Sequence, residues 1–324
     1  MNGRKWLTVI LGTALSMVAA GGANSQPYPN KPGRLLVGFA PGGGVDVTAR
    51  IVAGKLSEIW GQQLVVDNRA GAGGTIATEI AAKAPPDGYT LLLCGIWSHG
   101  VAPSLYKQLP YDHYRDFAPI SLIGTTPNVL VVNPAGPAKT VSEFIAYAKA
   151  NDGKVTVAHP GVGSSPYMTL ELFRLTTGIN IVPVPYKGAA PALVDLLGGH
   201  VQAMFDNMSS QLLMMQSGKT RALAVTSPKR SLHLPEVPTM IESGIPVDVT
   251  VWYGLCAPSA VPKPILSKLN TDLHKALNAP DVQRRLQEQG VDPAPSTPGQ
   301  FAAFIRSETE KWARVVKDAG VPQQ

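Results

Sequence analysis

Gly38-Phe39-Ala40-Pro41-Gly42-Gly43-Gly44-Val45-Asp46 is a stretch with few side chains between two apolar segments. Leu35, Leu36 and Val37 before it form the short run of a buried strand. After it, Val47 to Trp60 spaces Val52, Leu56, Ile59 and Trp60 as a helix does. Asp46 is a good N-cap for that helix and Gly61 a natural residue to end it. Glycines allow close approach to the backbone, and a helix start presents unpaired N–H groups with about half a positive charge. The chemistry this combination supports is anion binding.

The same logic recurs a few residues later. Gln63 to Val66 reads as a strand, Asp67-Asn68-Arg69 as its end, and Gly71-Ala72-Gly73-Gly74 as the entry to a helix with Ile76, Ile80 and Ala84 on one face, closed by Pro85 to Gly88. A single Gly-rich turn serves equally well as an ordinary strand-to-helix connection. Two of them at the carboxyl ends of neighbouring parallel strands share one crevice and read as a binding site. Tyr89 to Cys94 is a third strand, and the loop Gly95 to Gly100 places Trp97, Ser98 and His99 near that crevice. His99 is able to meet a carboxylate, although a lone histidine more often has a structural partner.

Other chemistry is poorly supported. The six histidines, at 99, 113, 159, 200, 233 and 274, show no metal-ligand spacing. The Gly38 loop lacks the Gly-Lys-Ser/Thr ending of a P-loop, Gly71 onward does not complete a dinucleotide fingerprint, and there is no Gly-x-Ser-x-Gly elbow. Ser164 near His159 suggests a nucleophile and base, but a binding loop accounts for both. No enzyme activity and no cofactor are expected.

The elements that must position these loops alternate as strand and helix. Ile120 to Ile123 and Val129 to Val132 read as successive strands, the second carrying the chain into another domain. There, a helix over 141–151, a strand over 155–158 and the small-residue loop His159 to Ser165 follow, with Ser165 as N-cap and Pro166 opening a helix that runs to Gly178. Ile181 to Val184 is a strand and Pro185 to Pro191 a fourth loop before a fourth helix. Val201 to Phe205 delivers Asp206 and Asn207 to a strand end, and Ala222 to Thr226 closes this half. The proline-punctuated stretch 228–246 is irregular. Val249 to Ala257 reads as a return strand, followed by long amphipathic helices over 262–278 and 298–320. Asn207-Met208-Ser209 matches a glycosylation acceptor by chance.

A chain of 324 residues favours two domains, and 44% hydrophobic with 15% charged residues describes a globular protein. Arg4 and Lys5, the apolar stretch Trp6 to Ala20 and the small residues to Ser25 form a secretory signal over 1–25. The cut is expected between Ser25 and Gln26; an uncleaved anchor is the alternative, with an apolar run short for a span. Removing the segment lowers the formal charge from +6 to +4, too weak and scattered for nucleic acid. Cys94 and Cys256 each lie within a strand-like apolar run, so buried free thiols are expected in preference to a disulfide.

In order and spacing, several motifs together resemble one family. They are Phe39 to Asp46, Asp67 to Gly74, Pro86-Asp-Gly-Tyr-Thr90, Asp116-Phe-Ala-Pro119, Val184-Pro-Tyr-Lys-Gly188, Asp195 to Gly199, Arg221 to Thr226, Leu234 to Thr239 and Ala257-Pro258. The chain resembles the periplasmic solute-binding proteins of tripartite tricarboxylate transporters, the Bug (TctC-like) receptors, over essentially its whole mature length. The resemblance implies an α/β, two-lobed type II periplasmic-binding-protein fold of Venus-flytrap form, each lobe a mostly parallel sheet flanked by helices. Domain one is then 26–126 with 249–324, and domain two 127–248. It implies capture of a small carboxylate, a di- or tricarboxylate or an aromatic acid, through main-chain amides and water. The ligand is delivered to the membrane subunits of the transporter by a monomeric receptor in the periplasm; a sensor feeding a membrane signalling partner is the alternative.

The same resemblance places ligand contacts at Phe39, Pro41, Gly42, Gly43, Asp46, Gly71, Gly73 and Gly74 in domain one, and at Ser164, Ser165, Tyr186, Lys187 and Asp206 in domain two. Trp97 and Ser98 lie in a variable specificity segment. The sequence departs from the family at Tyr167, near which members often carry histidine, and in the bulk of Trp97. Four or five charge-assisted contacts of about 1.5–3 kcal/mol each, less the cost of association, suffice for about micromolar binding without a buried cation.

Overall fold

The computed structural model describes residues 28–318 together with 320, 321 and 323; the expected signal segment lies outside the described residues. The apolar run of β1 (Gly33–Val37) sits between β2 (Leu64–Asn68) and β3 (Thr90–Gly95), all three parallel. Leu35, Leu36, Leu91 and Leu93 have no exposure, each contributing about 1.5–3 kcal/mol of burial. The return strand β9 (Thr250–Pro258) lies antiparallel beside β3.

The two short strands expected around 120 and 130 are one 16-residue strand, β4 (Phe117–Val132). From Phe117 to Pro127 it pairs with β9; from Asn128 to Val132 it pairs with β7 (Ala203–Asn207) and β8 (Arg221–Val225). Beyond β7, β5 (Thr156–His159) and β6 (Val182–Pro185) run parallel to it. Each sheet is therefore mixed, and β4 passes from one to the other. The chain crosses back between Thr226 and Val249, and the two crossings are bonded together. Thr226 N donates to Asn128 O at 2.9 Å, Asn128 N to Thr226 Oγ1 at 2.9 Å and Val249 N to Thr226 O at 2.9 Å.

Helices cover both sheets. The first lobe carries α1 (Gly44–Trp60), α2 (Thr75–Ala82), α3 (Ala102–Leu105), α8 (Lys263–Leu277), α9 (Pro280–Glu288) and α10 (Pro298–Asp318). The small strand β10 (Asp292–Pro293) lies between the last two. The second lobe carries α4 (Val141–Ala150), α5 (Ser165–Thr177), α6 (Ala189–Leu197) and α7 (Met208–Gln216).

Several local expectations are corrected. Cys94 and Cys256 are joined by a disulfide, with Cα atoms 6.0 Å apart. Antiparallel pairing of β3 and β9 sets Leu93 opposite Leu255 and brings the thiols together across 162 residues, which their separate apolar runs did not reveal. The helix after Gly74 buries Ala77, Thr78 and Ala81, and leaves Ile76 exposed. Residues Ile96–Val101 form a wide π-helical turn, fully buried and continuous with α3. Asn207 is buried, so its sequon offers no accessible acceptor.

Candidate functional site

The cleft between the lobes holds two adjoining compartments that share Phe39 and Pro160 as walls. The inner one is small, about 20 Å³, close to the room one water needs. Phe39, Val45, Trp97 and Ala189 give it apolar walls, and Gly44, Ser165, Asp206, Asn207 and Ser210 also face it. The outer one measures about 250 Å³ and is bounded by Gly71 to Gly74, Gly161, Val162, Tyr186 and Lys187.

Four helix starts, those of α1, α5, α6 and α7, border the inner compartment. First-turn N–H groups have no intrahelical acceptor, so the compartment faces the positive ends of four helix dipoles; of these groups Gly44 N is taken by Ser210 Oγ and Tyr167 N by Ser164 Oγ. Its chemistry suits an anion.

Asp46 has a different local role from the N-cap expected of it. Gly43 is the N-cap, and Asp46 lies inside the first turn of α1, almost fully buried. Its carboxylate accepts from Gly42 N at 3.0 Å, Arg50 Nε at 2.9 Å and Asn68 Nδ2 at 2.9 Å. Burial pushes this carboxyl up, but the bonds from Arg50, Gly42 and Asn68 outweigh that and hold it below its ordinary range. Asp46 thereby ties the glycine loop to the end of β2. At the second loop, positive φ at Ala72, Gly73 and Gly74 folds the chain into a tight turn of 3₁₀ helix. A Cβ on Gly73 would strike Val162 O, so no side chain fits there when the lobes meet.

In the second lobe Ser164, one residue before the position expected, caps α5 by accepting from Tyr167 N at 3.3 Å. Ser165 then stands in the first turn and lines the inner compartment. Tyr186 Oη donates to Asp195 Oδ2 at 2.5 Å, and Lys187 is exposed at the outer compartment. Asp206, next to last in β7, is fully enclosed and accepts from Gln211 Nε2 and Asn207 N, each at 2.8 Å. Burial pushes its carboxyl up to about 7 against these bonds and one from Ser210.

Of the residues singled out from sequence, Phe39, Gly43, Trp97, Ser164, Ser165 and Asp206 meet at the inner compartment, and Gly71, Gly73, Gly74, Tyr186 and Lys187 at the outer. Pro41, Gly42 and Asp46 border neither. Ser98 faces away, its hydroxyl held by Gly95 and by His99 Nδ1 at 2.9 Å. His99 is buried against Phe117, and burial first, then His113, pushes it down to about 3. Sequence reading missed α7 altogether, and with it Asn207 as N-cap and Ser210. The Asn207-Met208-Ser209-Ser210 run is itself a helix-start signal.

The lobes are in contact. Gly44 N donates to Ser210 Oγ at 2.9 Å, and Tyr253 Oη on β9 bonds Asn207 Nδ2 at 3.1 Å and Ser209 Oγ at 2.9 Å. Trp97 stands edge-on to Phe39 with centroids 5.1 Å apart and leans on Tyr253 at 6.0 Å. Among the described residues no cluster of metal-ligating side chains occurs.

Two mixed α/β lobes joined by crossing strands, with helix starts around an enclosed cleft, define a solute receptor of the periplasmic-binding-protein type. The family model for the tripartite tricarboxylate transporter family receptor matches residues 48–321. Protein BugT of Bordetella pertussis is 41% identical over 322 residues, 99% of each chain. The structure of periplasmic binding protein BugD superposes with a TM-score of 0.89 at 37% identity, over 92% of this chain and 100% of that one. R. palustris Rpa4515 with adipate superposes with a TM-score of 0.87 at 35% identity, over 90% and 98%. The chain belongs to the tripartite tricarboxylate transporter receptor family, a family of periplasmic transport receptors and not of enzymes.

Proposed function

We propose that this protein captures a small carboxylate in the cleft, closes its lobes over it and delivers it to the membrane subunits of a tripartite tricarboxylate transporter. The observation that carries the reading is the convergence of four helix starts on one enclosed compartment without a lysine or arginine in its lining. Main-chain N–H groups bind a carboxylate there without the cost of burying a cation. One carboxyl group directed at the helix starts of the inner compartment leaves the outer compartment, about 250 Å³, to the rest of an acid as long as the adipate of the R. palustris relative.

Domain one comprises 26–126 and 249–324 and domain two 127–248, turning about the crossings at Asn128 and Thr226. Closure adds the second-lobe contacts, which supply the differential affinity that shifts the open–closed equilibrium. The receptor acts as a monomer in the periplasm after removal of its signal segment.

A thermal-shift screen of residues 26–324 against adipate, succinate, citrate and benzoate, with adipamide as a neutral control, tests this. Ligand at about 100 times Kd contributes about 2.7 kcal/mol and raises the midpoint by several degrees. A shift with acids and none with adipamide supports the carboxylate reading. A shift with adipamide and with no acid overturns it.

A further inference from the structure

We propose that the inner compartment receives the ligand's carboxylate against a protonated Asp206, so that one proton from solvent is taken up with the ligand above neutral pH. This deepens the proposed function and rests on the carboxylate reading. Asp206 is enclosed near the end of β7, in the wall of the compartment that the helix starts surround. An ionised Asp206 would oppose a second carboxylate in that small space, whereas a protonated one donates to it. Both oxygens already accept hydrogen bonds, from Asn207 N and from Gln211, so the added proton completes an acid with its remaining partner in the cavity.

No neighbouring charge compensates Asp206. β4 and α7 carry no ionisable side chain along their length. On β5, burial holds His159 down to about 4, so it is neutral near pH 7. On α5, Glu171 is paired with Arg174 beside Tyr167, and on α6 Asp195 accepts from Tyr186. Across the cleft, Asp46 is bonded to Arg50 on α1. Tyr253 on β9 faces the same region, and burial pushes its hydroxyl up, so it stays neutral. Burial dominates Asp206's own balance, with the carboxyl at about 7. A ligand carboxylate beside it moves it further up, as like charges sharing a site do.

Closure feeds into the same group. Ser210 Oγ accepts from Gly44 N of the first lobe, which leaves its hydroxyl proton for Asp206. The lobes thus meet at a hydroxyl that bonds the acid directly.

The test is calorimetric titration of the mature protein with adipate and succinate at about pH 8, in phosphate and in Tris, whose ionisation enthalpies differ. The expected result is uptake approaching one proton per ligand, with Kd weakening toward tenfold per pH unit above about pH 7 and levelling below. In Asp206→Asn, whose amide is a permanent donor, uptake falls to zero and the pH dependence flattens. The two-buffer measurement on the parent protein decides the matter even if that variant does not fold. Binding of a dicarboxylate with no proton uptake overturns this inference and leaves the receptor reading standing. Binding only of adipamide, or of a diamine paired with ionised Asp206, overturns both.

Discussion

Gly44 offers a direct test of the proposed lobe closure. It starts α1, has an ordinary negative φ, and faces α7 across the cleft. A Cβ there would stand 2.9 Å from Ser209 Cβ and 3.0 Å from Ser209 C, both fixed atoms that rotation of the hydroxyl cannot move. Gly44→Ala therefore overpacks the closed state, at about 1–3 kcal/mol. Separation of the lobes removes Ser209 from that contact. There the substitution is neutral or favourable, since alanine exceeds glycine in helix propensity by up to about 1 kcal/mol. The penalty falls on the closed form alone, so affinity drops about 5- to 150-fold. Calorimetry with the acid found in the thermal-shift screen measures this, and small-angle scattering with the same acid reports whether the radius of gyration still contracts. A double variant with Ser209→Gly recovers part of the loss. If Gly44→Ala binds as tightly as the parent and contracts as fully, the contact is not part of the ligand-bound state and the closure argument fails.

Two further outcomes concern stability. Reducing the Cys94–Cys256 disulfide opens a link across 162 residues, for which loop-closure entropy sets a ceiling of about 5 kcal/mol and typical disulfides about 2–4. Denaturant midpoints with and without reductant, and for Cys94→Ala with Cys256→Ala, should fall accordingly; an unchanged midpoint would show that the bond contributes nothing. His99 is pushed down to about 3 and its Nε2 has no hydrogen-bond partner. The unfolded chain therefore binds a proton there before the native state does, and stability is lost as pH falls from about 6.5 toward 3. Asp206, pushed up to about 7, acts in the opposite sense between about 7 and 3.8. Thermal midpoints of the parent and of His99→Leu isolate the histidine, because the variant should lose less stability between about pH 6.5 and 4. Equal slopes would mean that His99 titrates as it does in the unfolded chain.

The local features of the site were the most legible in sequence, because they depend on residues a few positions apart. The strand at Leu35 to Val37, the glycine loop after it, the αL end of α1 at Gly61 and the proline-led start of α5 each follow from short-range sterics and capping. Asp46 shows where that reasoning stops. An acid near a helix start reads as a cap, but Gly43 already serves there, and the carboxylate is drawn to Gly42, Asn68 and Arg50.

Sequence by itself determined that there would be strand-to-helix turns with open backbone, and that a carboxylate at 206 would stand at a strand end. Only the tertiary structure decided which of these turns face each other. β4 carries one strand through both sheets, pairing of β3 with β9 joins Cys94 to Cys256, and the packing of the lobes sets Ser210 against Gly44 and encloses Asp206 with Trp97. These are contacts between segments 100 residues or more apart, and they follow from sheet register and lobe packing. No local periodicity encodes that pairing.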